Sequence, residues 1–354
     1  MQDHDPHKKN GTIAVRAMCA IIFLAFTFLW LYEFQADVLA VGQHVLSGGQ
    51  THYDRTVGAV IITLVLQLLQ LGVYYVTRLA RRTHALTYLP SMLLLTIMSD
   101  VPPTIDQHFS FGAWAWIVPV VLVVWAVAVW LARNVLPFEN DDKQPTDIFS
   151  QRMWLNLLQM VAMMLVVALV GNSNAVFHFT AHAEASLLKG DAAEALRVGE
   201  RSLETDENLT MLRIYALGTR GELGERLFCY PLAGTSADML PMKGSNARLR
   251  LLPMDSIWKS FGARPVYKIT TAQYLHALTV DSVAHPMAAD YILTGMLIDR
   301  RLDAFAKTLP SYYPDSLPLP HFYREAMELH ALLPNDTLGM PQRGTYRFYY
   351  YQKP

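Results

Sequence analysis

Five long apolar stretches in the first half of the chain constrain its fold more than any other feature. They lie near residues 13–33, 57–77, 85–100, 111–132 and 153–171. An α-helix needs about 20 mostly apolar residues to cross the hydrocarbon core of a bilayer. The sequence therefore predicts a five-helix transmembrane bundle over residues 1–172. The third stretch is short and contains Pro90, so a re-entrant segment is its alternative.

Charge is distributed unevenly between the two halves of the chain. Residues 1–172 carry 21 charged side chains, and residues 173–354 carry 38. The second half keeps a helical periodicity while its polarity rises, which is typical of a water-exposed helical domain. The fold class predicted for the whole chain is therefore all-α. The formal net charge is −1, and this absence of a basic excess argues against nucleic acid as a partner.

Positively charged residues predict the orientation of the bundle. If all five stretches cross the membrane, nine Lys and Arg residues flank the spans on one side: Lys8, Lys9, Arg16, Arg78, Arg81, Arg82, Arg133, Lys143 and Arg152. The two short loops on the other side contain only Arg55. Positive residues concentrate on the cytoplasmic side of membrane proteins. We therefore expect a cytoplasmic N-terminus and an extracytoplasmic domain over residues 173–354.

Four amide side chains lie inside the predicted spans. Gln67 and Gln70 are three positions apart and share a helix face, as do Asn156 and Gln159. They could line a path for a ligand or an ion. The favoured interpretation is that they form hydrogen bonds between helices and hold the bundle together.

The segment 177–208 predicts two helices that meet at a Gly190–Asp191 turn. Its bulky, small and turn positions are Phe179, Ala183, Leu187, Gly190, Ala195 and Ser202. This pattern resembles a tetratricopeptide repeat, in which paired antiparallel helices pack closely at small residues. Glu207 stands where that family has a proline. A second repeat is expected at 217–228 with a turn at Gly224, and a later helical pair at 286–309 and 319–333. The stretch 233–267 is expected to be a long connection with a short helix around Trp258.

Several segments together resemble an uncharacterised family of Gram-negative bacterial polytopic membrane proteins. They include SNAVFHFTAH (173–182), residues 216–241, 285–305 and 317–333, and the aromatic end GTYRFYYY. The resemblance implies an inner-membrane bundle that carries a periplasmic, tetratricopeptide-repeat-like domain. The lipid bilayer is one implied partner. The resemblance transfers neither a reaction nor catalytic residues to this chain.

Two acidic residues are the basis of the strongest alternative function, an enzyme. Glu33 and Asp37 begin the first loop on the extracytoplasmic side. Polytopic glycosyltransferases that use lipid-linked sugars place catalytic acids in such a loop, where a carboxylate binds a metal or acts as a base. By this analogy the chain would be an envelope glycan or lipid-transfer enzyme. The favoured interpretation is that both acids are solvated at a helix end.

Other chemistry has weaker support in the sequence. His178 and His182 share a helix face and could bind a metal ion, but packing against a neighbouring helix is favoured. Cys19 and Cys229 lie in different halves and predict no disulfide; Cys229 is expected to be buried. Gly-rich phosphate loops, a C-x-x-C pair and a G-x-S-x-G motif do not occur. No cofactor is predicted.

The aromatic C-terminal run suggests a place for a partner. Tyr349 and Tyr350 belong to it and could dock a protein, or they could pack back on their own domain. Stacked helical pairs also leave a concave surface that usually binds proteins. The predicted function is a membrane-anchored interaction or assembly protein of the cell envelope, with self-association left open.

Overall fold

The computed structural model describes residues 6–79, 81–107, 110–134, 150–265, 267–280, 286–314, 316–332 and 342–352. The protein is all-helical: helices make up 72% of it, and its described residues contain no strand. This confirms the predicted fold class. The chain divides into two compact units, Met1–Ser173 and Asn174–Pro354. We call them the N-terminal and C-terminal units.

The N-terminal unit is built from apolar helices. Its described residues form α1 (Pro6–Leu29), α2 (Ala36–Leu46), α3 (Arg55–Thr77), α4 (Leu89–Ser99), α5 (Trp114–Asn134) and α6 (Gln151–Val170). A π-helical turn, Trp30–Phe34, extends α1. Four helices of 20 to 23 residues are long and apolar enough to cross a membrane: Ile13–Phe34, Arg55–Thr77, Trp114–Asn134 and Gln151–Val170. The chain is therefore a multi-pass membrane protein. Between the fourth and fifth predicted spans, residues 135–149 lie outside the described residues.

The third predicted span is not a long α-helix. A 3-10 helix, Arg81–Tyr88, leads into α4, which has only 11 residues. Pro90 explains the change, because proline lacks an N–H and fits the first turn of an α-helix but not its interior. The segment still runs alongside α6 from end to end. The Ala85 N–H donates to the side chain of Asn156 near the start of α6, and the Asn172 N–H donates to the carbonyl of Ser99 just beyond its end.

Polar side chains stabilise this irregular segment inside the bundle. A backbone without regular hydrogen bonds is tolerated at membrane depth only where protein groups satisfy it. Asn156 accepts the Ala85 N–H at 2.8 Å, and Gln70 donates to the Thr87 hydroxyl at 2.9 Å. Gln159 donates a longer bond, 3.5 Å, to the carbonyl of Arg82. These contacts agree with the interpretation that the polar residues of the spans hold the bundle together.

The bundle has a basic end and an acidic end. Arg16 stacks on Tyr74, and Arg82 donates to Gln151; we call this the basic end. At the opposite end Arg55 pairs with Glu33, and Trp114 donates to Asp100; we call this the acidic end. The acidic end also carries α2, a helix that the sequence analysis did not predict. Its Val38 and Val41 are fully buried.

The C-terminal unit contains shorter helices around one apolar core. Its described residues form α7 (Ala175–Leu188), α8 (Ala192–Arg197), α9 (Glu207–Arg220), α10 (Leu223–Arg226), α11 (Met254–Phe261), α12 (Thr271–Val280), α13 (Pro286–Ile298), α14 (Leu302–Tyr312), α15 (His321–Leu332) and α16 (Tyr346–Tyr351). The core is rich in aromatic rings, and Phe261, Tyr291, Phe305 and Phe322 are fully buried. The short helix predicted around Trp258 is confirmed as α11.

The first helical pair departs from the tetratricopeptide pattern. α7 and α8 meet at a turn where Gly190 has a φ of +80°. However, α8 has only six residues and ends at the extended Val198. Gly199 follows with a φ of +61°, a conformation that stops a helix and that glycine adopts at little cost. Ser202 therefore lies outside the helix in which the repeat pattern would place it.

The later helices also differ from the predicted register. The turn expected at Gly224 lies instead at Gly221, which ends α9 with a φ of +68°, and Gly224 is inside α10. The helix predicted at 286–309 is two helices, α13 and α14, separated by a turn at Arg300. α15 occupies the helical position predicted at 319–333. The described helices of the C-terminal unit thus do not confirm the tetratricopeptide-like repeat.

Candidate functional site

The predicted framework residues pack within the α7–α8 pair. Ala183 and Ala195 are 1% and 2% exposed, so the small side chains allow the two helices to approach closely. Leu187 is buried beside them. The ring of Phe179 lies over Gly199, where an added Cβ would come within 2.8 Å of the ring. These side chains, with the Gly190 turn, shape the domain from inside.

The aromatic C-terminal run packs against its own unit. Tyr346 is fully buried, and its ring lies 4.9 Å from that of Phe228. Tyr349 donates to the carbonyl of Ile298 at 2.8 Å, and the Arg300 guanidinium lies over its ring. Tyr350 is half-buried and contacts the ring of Tyr346. Tyr349 is therefore engaged within the domain, and Tyr350 keeps part of its surface exposed.

Glu33 and Asp37 lie at the acidic end of the N-terminal unit. Glu33 forms a 2.8 Å ion pair with Arg55, whose guanidinium also stacks on Tyr32. Asp37 lies in the first turn of α2, where the helix dipole favours a negative charge. Asp54 caps α3 by accepting the backbone N–H groups of Thr56 and Val57. Each acid thus has a structural role near a helix end.

The two histidines lie on α7, as the spacing predicts. The His182 Nε2 is 3.7 Å from a carboxylate oxygen of Glu194. Within the described residues, no group of three or more His, Cys, Asp or Glu side chains is placed to hold a metal ion.

The cysteines lie in separate units, and one prediction about them is wrong. Cys19 is buried in the N-terminal unit, but Cys229 is exposed. Leu227, Phe228 and Cys229 form a 3-10 turn in which the first two side chains enter the core. A 3-10 turn rotates successive side chains around its axis, so the third points outward. Partial burial raises the pKa of the Cys229 thiol above its ordinary value.

A buried carboxylate anchors the irregular stretch after α10. One oxygen of Glu184 accepts the N–H groups of Arg250, Leu251 and Leu252 at 2.6, 2.7 and 3.0 Å. Burial raises the pKa of Glu184, although these three bonds and the charge of Arg250 act in the opposite direction. Glu184 therefore ties α7 to a segment more than 60 residues away, a role that no local sequence pattern indicates.

Asp238 organises a second irregular region. Burial acts to raise its pKa, but hydrogen bonds from Asn246, Thr235 and Ser245 outweigh that effect and hold the pKa below its ordinary value. The carboxylate and Thr235 form a capping box for the 3-10 helix Ser236–Met239. Next to it, Ser236 donates its N–H and hydroxyl to Asp299 at 2.9 and 2.7 Å. Hydrogen bonds to Asp238 and Asp299 thus hold the Ser236–Met239 turn in place.

The fixed turn forms one wall of a groove of about 370 Å³ in the C-terminal unit. Helices α12, α13 and α14 supply the other walls, and we call it the α12–α14 groove. Leu275 and Tyr291 are buried lining residues, whereas His276 and Arg301 are exposed. Arg301 also pairs with Asp299 at 3.0 Å. An apolar lining with a polar edge suits an apolar side chain presented by a peptide. No local sequence pattern predicts this groove, because its residues come from separate segments.

No protein-family model matches the chain, and neither a curated protein nor a solved structure matches it. The arrangement of its own residues therefore carries the argument about function.

Proposed function

We propose that this protein is an interaction or assembly protein of the bacterial cell envelope. Its N-terminal unit anchors it in the inner membrane with a cytoplasmic N-terminus. Its C-terminal unit lies in the periplasm and binds a protein partner. The observation that carries the partner proposal is the α12–α14 groove, an open, partly apolar site on a turn that Asp238 and Asp299 hold in place.

The distribution of charge in the N-terminal unit supports the proposed orientation. Arg16 and Arg82 lie at the basic end, with Arg78 just after α3 and Arg152 at the start of α6. At the acidic end, Arg55 is neutralised by its pair with Glu33. Positive residues are retained in the cytoplasm, so the basic end is proposed to be cytoplasmic. The chain leaves α6 at the acidic end, so the C-terminal unit is proposed to lie outside the cytoplasm.

The resemblance to Gram-negative membrane proteins supports the same location. It rests on segments from both units, such as 216–241 and 317–333. A periplasmic helical domain on a membrane anchor is suited to bringing envelope proteins together, because the anchor confines the groove to the membrane surface and raises its local concentration.

Site-specific photo-crosslinking in intact cells tests the proposed function. A photoreactive p-benzoylphenylalanine replaces His276, an exposed residue of the groove, in the full-length protein. The control places the same group at Ala277, its exposed neighbour on α12, which does not line the groove. We expect a discrete protein adduct from position 276 and none from position 277. No adduct from position 276, or equal adducts from both positions, would contradict the proposal.

A further inference from the structure

A large cavity lies at the acidic end of the N-terminal unit. Its volume is about 820 Å³, and α2, the start of α3, the end of α4 and the start of α5 supply its walls. Ile61, Ile62 and Ile97 line it from within the helices, and Ser47, Thr51 and His52 line it from the loop that follows α2. The cavity thus changes from apolar to polar in the direction of the loops.

A second cavity of about 500 Å³ lies between α4, α5 and α6. Its lining is almost entirely apolar and includes Leu93, Val121 and Val166. Asp100 and Trp114 line both cavities. Because both cavities include this polar pair, they adjoin there, and we call the two together the forked cavities.

One oxygen of the polar pair has no hydrogen-bond donor among the described residues. The Trp114 indole N–H donates to the Oδ2 of Asp100 at 2.8 Å. Among the described residues, none donates to the Oδ1 of Asp100. Asp54, another lining residue, uses its Oδ1 to cap α3, and its Oδ2 is likewise without a described donor. The described lining of the two cavities includes no lysine or arginine.

We propose that the acidic end binds one diacyl phospholipid that carries an ammonium headgroup. One acyl chain occupies each cavity, and the ammonium group donates to the Oδ1 of Asp100. Both volumes fall within the roughly 300–1,000 Å³ of ligand pockets. Two mostly apolar cavities that share one polar pair suit two apolar chains joined at a polar centre. Two carboxylates without a cation in the lining favour a cationic donor over a purely anionic headgroup.

Other occupants fit these observations less well. A single-chain amphiphile leaves one cavity unfilled. A lipid without an amine brings only its negatively charged phosphate, which gains no attraction from the carboxylates of Asp54 and Asp100. In the proposed pose the phosphate of the bound lipid points away from the carboxylates, toward water. This proposal concerns the N-terminal unit only and does not depend on the partner proposed for the α12–α14 groove.

Native mass spectrometry of the delipidated full-length protein in detergent tests the headgroup. Dioleoyl phosphatidylethanolamine is titrated in parallel with dioleoyl phosphatidylglycerol, which has the same acyl chains but no amine. We expect one phosphatidylethanolamine per chain, with an affinity at least about tenfold higher, the value of one charge-assisted hydrogen bond. Asp100→Asn keeps an acceptor for Trp114 and should abolish the preference. Equal binding of the two lipids by the wild-type protein would overturn the proposal without any variant.

Two pairs of variants test the acyl-chain sites. Ile61→Trp fills the first cavity, and its control Leu64→Trp changes an equally exposed residue of α3 outside it. Val166→Trp fills the second cavity, and Leu165→Trp is the control on α6. We expect each filling variant to weaken phosphatidylethanolamine binding about tenfold or more and each control to bind as the wild type does. Wild-type affinity in both filling variants would overturn the proposed pose.

Discussion

The side-chain oxygen of Asn156 accepts the backbone N–H of Ala85 at 2.8 Å, in the buried interior of the N-terminal unit. Asn156 in turn donates to the carbonyl of Arg152, one turn earlier in α6. One asparagine thus links a regular transmembrane helix to the 3-10 helix that precedes α4. The relationship explains how a segment too irregular to cross a membrane alone is held within the bundle.

Replacing this asparagine should destabilise the N-terminal unit. Asn156→Leu removes the side-chain acceptor of the buried Ala85 N–H, which costs about 1–3 kcal/mol of unfolding free energy. Thermal unfolding of the purified protein in detergent measures the effect. Leu158→Ala, at an exposed position two residues along α6, is the control and should change stability far less. Equal stability of Asn156→Leu and the wild type would contradict the role assigned to Asn156.

Glu184 should make the stability of the C-terminal unit depend on pH. Burial raises its pKa above the ordinary value of 4.5, so the folded state binds the proton more tightly than the unfolded state does. Its contribution to stability is therefore fully present below pH 4.5 and decreases as the pH rises through the folded-state pKa. Glu184→Gln cannot titrate but keeps an acceptor oxygen. The stability of this variant relative to the wild type should thus increase between about pH 4 and pH 8.

Unfolding curves of wild type and Glu184→Gln across that pH interval test this dependence. Glu194→Gln, at a more exposed position on α8, is the matched control. Glu184→Ala should lose at least about 3 kcal/mol, because three buried N–H groups lose their acceptor. A constant difference between wild type and Glu184→Gln at every pH would show that burial does not perturb the titration of Glu184.

Charge insertion in the α7–α8 pair should unfold it. Ala183→Asp or Ala195→Asp buries a carboxylate between two closely packed helices, and we expect a loss of about 4 kcal/mol or more. Ala193→Asp places the same charge at an exposed position of α8 and should be tolerated. Limited proteolysis of the three variants distinguishes these outcomes. Resistance of Ala183→Asp equal to that of Ala193→Asp would argue against the close packing described for the pair.

Substitution of Glu33 and Asp37 at the acidic end distinguishes an interaction protein from the enzymatic alternative. If the protein is an interaction protein, Glu33→Gln and Asp37→Asn together should have a mild effect, because an exposed ion pair contributes about 1 kcal/mol or less. Growth or envelope integrity of a strain that depends on this protein, complemented by the double variant, is the measurement. Complete loss of function with normal protein levels would favour the envelope glycan or lipid-transfer enzyme.

The parts of the fold that follow from local pattern could be predicted. The apolar stretches that became α1, α3, α5 and α6 are long and uninterrupted, so composition alone identifies them. Pro90 marked the third stretch as unusual, but the 3-10 geometry of Arg81–Tyr88 depends on partners in α3 and α6. α2 follows directly after the first apolar stretch, and its apolar residues gave no separate signal.

The parts that depend on distant contacts could not be predicted. The role of Glu184 depends on hydrogen bonds from a backbone segment 66 to 68 residues later in the chain. No local sequence pattern encodes that pairing. The early end of α8 follows from the left-handed conformation of Gly199, which a sequence match to a repeat does not reveal. The α12–α14 groove and the forked cavities likewise arise from helices that only tertiary packing brings together.

The measurement that tests the account most directly is labelling of Cys229 in intact spheroplasts with a membrane-impermeant maleimide at mildly alkaline pH. Cys229 is exposed and Cys19 is fully buried, so the native thiols suffice, and Cys229→Ser is the control. If the C-terminal unit lies outside the cytoplasm, as proposed, the wild type is labelled without lysis and the variant is not. Labelling of Cys229 only after lysis would put that unit in the cytoplasm and contradict the account.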